Sequence, residues 1–299
     1  MTLETKLLGV TLKNPVLMAS GTFGFGEEYA GYLDVSRLGG ICSKGLTLHP
    51  REGNYGPRMW ETPAGMLNSV GLQNPGVEHF IRHELPGMRG LGPAVIANLG
   101  GGTIEEYVEG ARLLNSAGID ILELNISCPN VKEGGANFGL KPAIATQVVS
   151  AVRKVFSGPM LVKLSPGAEN IVEMAKACRQ AGADGLSLIN TLLGMAIDVE
   201  QRKPVFRNIA AGLSGPAVRP VALRMVYDVV RAVDCPVVGL GGIATWRDAV
   251  EFLLAGAAAV QVGTAVFQNP EAPLEIIDGL QRYMERHGFE HISDIRLKK

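Results

Sequence analysis

Cysteine is scarce and scattered in this chain. Cys42, Cys128, Cys178 and Cys235 are the only four in 299 residues, and no two form a C-x-x-C pair. That spacing argues against a zinc or iron–sulfur site and against a disulfide framework, and it fits a reducing cytoplasm. Long apolar runs are missing too, and none approaches the roughly 20 residues that a membrane helix needs. The first twenty residues carry Glu4 and Lys6 and lack the apolar core and small-residue cleavage site of a secretory signal. Charge of one sign is not in excess. The formal net charge is −1, so no broad field invites nucleic acid or an anionic membrane. The basic tail Arg296, Lys298 and Lys299 reads as a solvated terminus. His79 and His83 stand at i, i+4, but Phe80-Ile81-Arg82 between them lack the glutamate of H-E-x-x-H, so the pair reads as a solvated helix face. No glycine cluster follows the G-x-G-x-x-G spacing: neither Gly100-Gly101-Gly102 nor Gly21, Gly24 and Gly26 is a dinucleotide fingerprint.

What is present is an alternation. Short apolar runs near 15–19, 40–44, 94–98, 120–125, 160–164, 184–189, 236–240 and 258–262 read as strands. Segments of helical period lie near 27–33, 76–85, 103–117, 141–156, 169–181, 216–233, 245–255 and 273–287. Thr103 and Thr245 are placed to cap two of these helices, and Gly118, Gly182 and Gly256 to end others before a strand. Eight such units without a linker predict an α/β fold, a single (β/α)8 barrel domain over 1–299, rather than an open doubly wound sheet. Residues 1–13 precede the first strand and predict a small hairpin over the barrel bottom. The connections 45–75, 127–140 and 191–215 are too long for turns and all follow strands, which puts them on the catalytic face.

Three groups of residues carry chemistry. Gly239-Leu240-Gly241-Gly242-Ile243 and Gly263-Thr264 follow strands 7 and 8, where barrels commonly bind phosphate through backbone N–H groups. Ser20, Lys44, Asn98, Asn125, Lys163, and Asn190 with Thr191 stand at the C-terminal ends of six successive strands. Two lysines and three amides suit a planar, heteroatom-rich ligand with negative charge; alternatively, Lys163 is a Schiff-base lysine. Finally, Asn125-Ile126-Ser127-Cys128-Pro129-Asn130 enters the long loop after strand 4, ahead of Gly134, Gly135 and Gly139. A thiol there, near cationic lysines, has the setting of a base or nucleophile, whereas Cys42, Cys178 and Cys235 read as structural.

At these residues the chain resembles the class 1 dihydroorotate dehydrogenases, and within them the class 1B catalytic subunit. The resemblance runs nearly end to end. It rests on Asn14-Pro15-Val16-Leu17-Met18-Ala19-Ser20-Gly21-Thr22-Phe23-Gly24, on Asn68-Ser69-Val70-Gly71-Leu72-Gln73-Asn74-Pro75-Gly76 and on Asn125-Ile126-Ser127-Cys128-Pro129-Asn130. Lys163-Leu164-Ser165-Pro166, Asn190-Thr191 and Gly241-Gly242-Ile243 extend it.

That resemblance implies FMN-dependent oxidation of (S)-dihydroorotate to orotate in pyrimidine biosynthesis, with Cys128 as the base. It implies that Ser20, Lys44, Gly45, Asn98, Asn125, Lys163, Ile189, Gly215, Gly241, Gly242, Gly263 and Thr264 hold FMN. Lys44, Asn68, Ser69, Val70, Gly71, Leu72, Asn125, Asn190 and Thr191 would hold the pyrimidine. Cysteine at 128, and a first strand too early for an N-terminal membrane-docking extension, separate the chain from class 2. The segment 61–76 resembles class 1B rather than the fumarate-linked class 1A. Class 1B implies a cytoplasmic assembly, a homodimeric core joined by a subunit carrying FAD and a [2Fe–2S] cluster that passes electrons to NAD+. The alternatives are class 1A, another FMN barrel acting on a pyrimidine (such as a dihydrouridine synthase), an aldolase using Lys163, and a non-enzymatic binding subunit.

Overall fold

The computed structural model describes residues 1–127 and 138–297. Cys128, the expected base, lies outside the described residues.

Eight parallel strands close into a barrel: β1 (Val16–Met18), β2 (Gly40–Cys42), β3 (Ala94–Leu99), β4 (Ile121–Asn125), β5 (Met160–Lys163), β6 (Gly185–Leu188), β7 (Val237–Leu240) and β8 (Ala259–Val262). They pair in chain order, and β8 returns to β1 through Val260 opposite Val16 and Val262 opposite Met18. Each expected strand is thus a barrel strand. The two-residue period of a strand explains the chemistry of its two faces. Val95, Ala97 and Leu99 of β3, Leu122 and Leu124 of β4, and Val260 and Val262 of β8 are buried outward against the helices. Their neighbours Ile96, Ile121, Leu161, Val238 and Ala259 fill the lower interior.

The expected hairpin is formed by Thr5–Leu7 and Val10–Leu12, paired antiparallel. Its Leu7 and Leu12 join that lower interior cluster and close the bottom of the barrel. Burial of each is worth roughly 1.5–3 kcal/mol, so the N-terminal segment is part of the core and not an appendage.

The helices follow the expected pattern with one exception and one addition. Thr103 accepts from the Glu106 N–H at the start of Ile104–Asn115, and Thr245 forms a reciprocal capping box with Asp248 at the start of Trp246–Leu254. Within Ile104–Asn115 the residues Tyr107, Gly110, Ala111 and Leu114, at i, i+3, i+4 and i+7, form the buried face. The expected helix over 27–33 is a single 3-10 turn, Glu27–Tyr29. Gly24, Gly26 and Gly31 crowd that segment and deprive it of helix propensity. A short helix, Ala265–Gln268, follows β8 directly and was not expected.

The long connections 45–75 and 191–215 are not free loops. They contribute Met59–Thr62 with Gly65–Asn68, and Leu192–Met195 with Ala210–Ser214, to one four-stranded antiparallel sheet. Gly65–Asn68 pairs with Ala210–Ser214, placing Asn68 opposite Gly212, which joins segments about 145 residues apart across the barrel mouth. The same two connections are also pinned by side chains. Ser69 Oγ accepts from Asn54 Nδ2 at 3.1 Å and from Asn208 Nδ2 at 3.4 Å.

Candidate active site

The cavity of the barrel, about 310 Å³, opens at the C-terminal ends of the strands under that four-stranded sheet. Its wall combines the strand ends with the excursion sheet: Ser20, Lys44, Asn125, Lys163, Asn190 and Thr191 from below, Asn68, Val70, Gly71 and Leu72 from the loops above.

Gly215, Gly241, Gly242, Gly263 and Thr264 meet at one side of it. Gly241 and Gly242 have φ of +124° and +76°, and a Cβ on Gly242 would lie 2.7 Å from the Gly215 carbonyl oxygen and 2.8 Å from the Arg219 backbone nitrogen. Only glycine fits there, so the loop offers backbone rather than side chains to the cavity. Beside it Gly215-Pro216 leads into the helical segment 216–230, and Thr264 into Ala265–Gln268. At the first of these starts Pro216 has no N–H, and those of Ala217, Val218 and Arg219 are taken by the carbonyls of Ala64, Gly215 and Pro216. The glycine backbone of the cradle, with the start of Ala265–Gln268 beside it, is what suits a phosphate.

At the floor Lys163 is buried, donates to Ser20 Oγ at 3.2 Å and stands 3.7 Å from a carboxylate oxygen of Glu123. Glu123 was not among the expected site residues. It is fully buried on β4, between Ile121 and Asn125 on the inward face, and gathers hydrogen bonds from Gln261 Nε2 (2.7 Å), Asn98 Nδ2 (2.7 Å), Ser187 Oγ (2.8 Å) and Cys42 Sγ (3.3 Å). Burial alone pushes its pKa up. The Lys163 charge and the hydrogen bonds from Gln261, Ser187 and Asn98 together outweigh that, holding the carboxyl below its ordinary value. Burial, followed by the Glu123 charge, pushes the Cys42 thiol well up, so Cys42 acts as a donor and not a nucleophile. Cys178 is pushed up to about 12 by burial. Lys44 is half-buried, and desolvation lowers its pKa, helped by Arg58 and opposed by Glu28.

A line of hydrogen bonds climbs from this floor into the cavity. Asn125 Nδ2 donates to Asn98 Oδ1 at 3.3 Å, Ser127 Oγ donates to Asn125 Oδ1 at 2.7 Å, and Asn190 Nδ2 donates to Ser127 Oγ at 2.7 Å. The residue preceding Cys128 is therefore tied to two cavity-lining amides.

Of the expected residues, Ser20, Lys44, Gly45, Asn68, Val70, Gly71, Leu72, Asn125, Lys163, Ile189, Asn190, Thr191, Gly215, Gly241, Gly242, Gly263 and Thr264 all line the cavity. Two stand behind it. Asn98 is fully buried beneath, between Glu123 and Asn125. Ser69 is buried as the staple between the two excursions. A charged residue at the centre of the apolar run Ile121-Leu122-Glu123-Leu124 was the available signal for the buried network. Glu61, Thr62 and Ser214 also reach the wall, and nothing in their local sequence announces it.

The dihydroorotate dehydrogenase family model matches residues 2–284. A protein of Petrotoga mobilis is 56% identical over 293 residues, 98% of this chain and 98% of its own. Relatives in Alkaliphilus metalliredigens (53% over 294 residues, 98% and 97%) and Thermoanaerobacter pseudethanolicus (52% over 295 residues, 99% and 98%) are similar over the same length. All three carry the name dihydroorotate dehydrogenase B (NAD(+)), catalytic subunit.

Proposed function

The chain belongs to the dihydroorotate dehydrogenase family, and from that premise we propose that it oxidises (S)-dihydroorotate to orotate in pyrimidine biosynthesis, using FMN and passing the electrons to NAD+ through a partner subunit. The observation that carries this reading is the convergence, in one cavity, of a glycine-only cradle with Ser20, Lys44, Asn125, Lys163, Asn190 and Thr191.

The residues fit FMN. The cradle at Gly215, Gly241, Gly242, Gly263 and Thr264 would hold its phosphate, and Ser20, Lys44, Asn125, Lys163 and Ile189 its ring system. When bound, FMN supplies the two-electron acceptor for oxidation of the C5–C6 bond. Lys163, fixed by Glu123 and Ser20, holds a positive charge at the floor that favours electron density on a ring above it. Asn68, Asn125, Asn190 and Thr191 offer donors and acceptors that match the imide and amide edges of a pyrimidine. Lys44, half-buried at the wall, supplies a cation for the substrate carboxylate. Cys128 takes the C5 proton. What supports it is the anchoring of the preceding residue, Ser127, to the cavity-lining amides Asn125 and Asn190.

The aldolase reading has no support in this geometry. A Schiff-base lysine needs a free neutral amine, and Lys163 is engaged by a carboxylate and a hydroxyl.

The partner is inferred to carry FAD and a [2Fe–2S] cluster and to join a homodimeric core as a cytoplasmic heterotetramer. The relatives' name, "catalytic subunit", supports a second kind of subunit. So do exposed Leu193, Met195, Ile197, Val199 and Ile209, large apolar side chains all carried by the one excursion 191–215. Among the described residues no helix is long and apolar enough to cross a membrane.

The test is anaerobic mixing of the purified protein with dihydroorotate while the visible spectrum is recorded. Bleaching of bound flavin is expected. A colourless protein that takes up no FMN would overturn the reading. Repeating the mixing with fumarate and with NAD+, with and without co-purified subunits, separates the two class 1 acceptors.

A further inference from the structure

The network under the cavity has a directionality that no single contact reveals. An ionised carboxylate offers no proton, so every group around Glu123 must donate to it. Asn98 and Gln261 therefore both turn their NH2 ends toward Glu123 and their carbonyl oxygens away from it. The Asn98 oxygen is used by Asn125, and that begins the line through Ser127 to Asn190. The Gln261 oxygen is not used. Gln261 is 1% exposed, it lines the cavity, and its Oε1 is the one buried side-chain polar atom without a hydrogen-bond partner among the described residues. A buried acceptor left unpaired is costly enough that folded proteins seldom keep one without a use.

Resting on the family reading above, we propose that Glu123 is a positioning residue that fixes the amide polarity of the barrel floor, and that Gln261 Oε1 is thereby presented as the acceptor for a ring N–H of the heterocycle bound over it. Two molecules offer that chemistry. Oxidised flavin has a single ring N–H, at N3, its other polar ring atoms being acceptors. The pyrimidine substrate and product have ring N–H groups at N1 and N3. With its nitrogen committed to Glu123, the Gln261 amide has only its oxygen to offer a bound ring, and that oxygen accepts from either and repels a ring atom bearing a lone pair. The floor thus selects the orientation of a planar ring as well as its presence.

The experiment is a binding cycle on the full-length protein stripped of flavin. Wild type and Gln261→Met, which keeps the volume and removes the acceptor, are each titrated with FMN and with FMN methylated at N3. The readout is flavin fluorescence, independent of turnover. Wild type is expected to bind the methylated flavin at least about tenfold more weakly, and in Gln261→Met that ratio should fall to within about threefold of one. A merely structural role for Gln261, through its bond to Glu123, would lower the melting temperature and weaken both flavins alike, leaving the ratio where it was. If the flavin ratio does not change, the same cycle is run on FMN-loaded protein with orotate and its N1- and N3-methyl derivatives. A ratio that collapses there assigns the oxygen to the pyrimidine. If neither ratio responds to Gln261→Met while wild type binds both FMN and orotate, the proposal is overturned and the family reading stands. If wild type binds neither, both fall. Glu123→Gln is the second variant. A neutral amide at 123 can donate as well as accept, which frees Gln261 to turn, and the same ratio should collapse with residue 261 unchanged. A full wild-type ratio in a folded Glu123→Gln protein would remove Glu123 from the proposal.

Discussion

Replacing Gly242 by alanine should weaken FMN far more than it weakens riboflavin, which lacks only the phosphate. The added Cβ would sit 2.7 Å from the Gly215 carbonyl oxygen, 2.8 Å from the Arg219 backbone nitrogen and 2.8 Å from Arg219 Cβ, at a backbone φ of +76°. The left-handed conformation alone costs an alanine roughly 1–2 kcal/mol. Two of the three contacts are to backbone, so rotating a side chain cannot relieve them. Nor can the helical segment easily back away, because Arg219 is held by an ion pair to Asp248 and approaches Glu251 at 3.6 Å. Relief has to come from the cradle itself. If about 2 kcal/mol of this strain appears as lost phosphate binding, the FMN dissociation constant rises about 30-fold. Fluorescence titration of flavin-free protein with FMN and riboflavin measures it, with riboflavin expected to change little. Parallel losses for both flavins, or an unchanged FMN constant in a variant whose melting temperature has dropped, would refute the assignment of the phosphate to these loops.

Cys128→Ser should retain FMN but slow the reduction of bound flavin by dihydroorotate about 100-fold or more near neutral pH, because a hydroxyl is the poorer base; near wild-type rates in stopped flow would remove Cys128 from the chemistry. Lys163→Ala should purify with little FMN and lose roughly 3–5 kcal/mol of stability, since it leaves Glu123 buried without its cation; a full complement of flavin in a protein as stable as wild type would contradict both roles. Orotate binding should weaken on the alkaline side earlier than an ordinary lysine predicts. Burial lowers the Lys44 pKa from 10.5, so its cation is present below the lowered value and is lost as pH rises through it, and Lys44→Met should flatten that limb of the binding profile. Glu123 titrates in the opposite sense. Its pKa is depressed from 4.5, so its contribution to stability is whole above about that pH and is lost as pH falls through the depressed value. Melting temperatures of wild type and Glu123→Gln should therefore converge only in acid, and a gap that persists unchanged below pH 4 would rule out an ionised Glu123 as its source.

The local sequence determined the barrel and most of the cavity wall. A strand alternates every two residues and a parallel barrel buries both faces, so Pro15 to Ala19 or Met160 to Leu164 can be read as strands without knowing their neighbours. A residue at the C-terminal end of such a strand must reach the barrel mouth. That is why Ser20, Lys44, Asn125, Lys163 and Asn190 were legible as one constellation before any contact was known. Gly241 and Gly242 were legible for the same reason, since their place after strand 7 sets their task.

Tertiary structure alone decided what depends on partners distant in the chain. The sheet that roofs the cavity pairs Asn68 with Gly212, and its short strands carry no local signal strong enough to separate them from loop. The motif around Ser69 marked it as an expected pyrimidine contact, whereas its hydrogen bonds from Asn54 and Asn208, the latter 139 positions away, appear only in the fold. Gln261 and Glu123 are 138 positions apart, and only barrel closure sets them 2.7 Å from each other. A carboxylate's demand for donors acts over hydrogen-bond distance through space, and no periodicity along the chain encodes which amide will answer it.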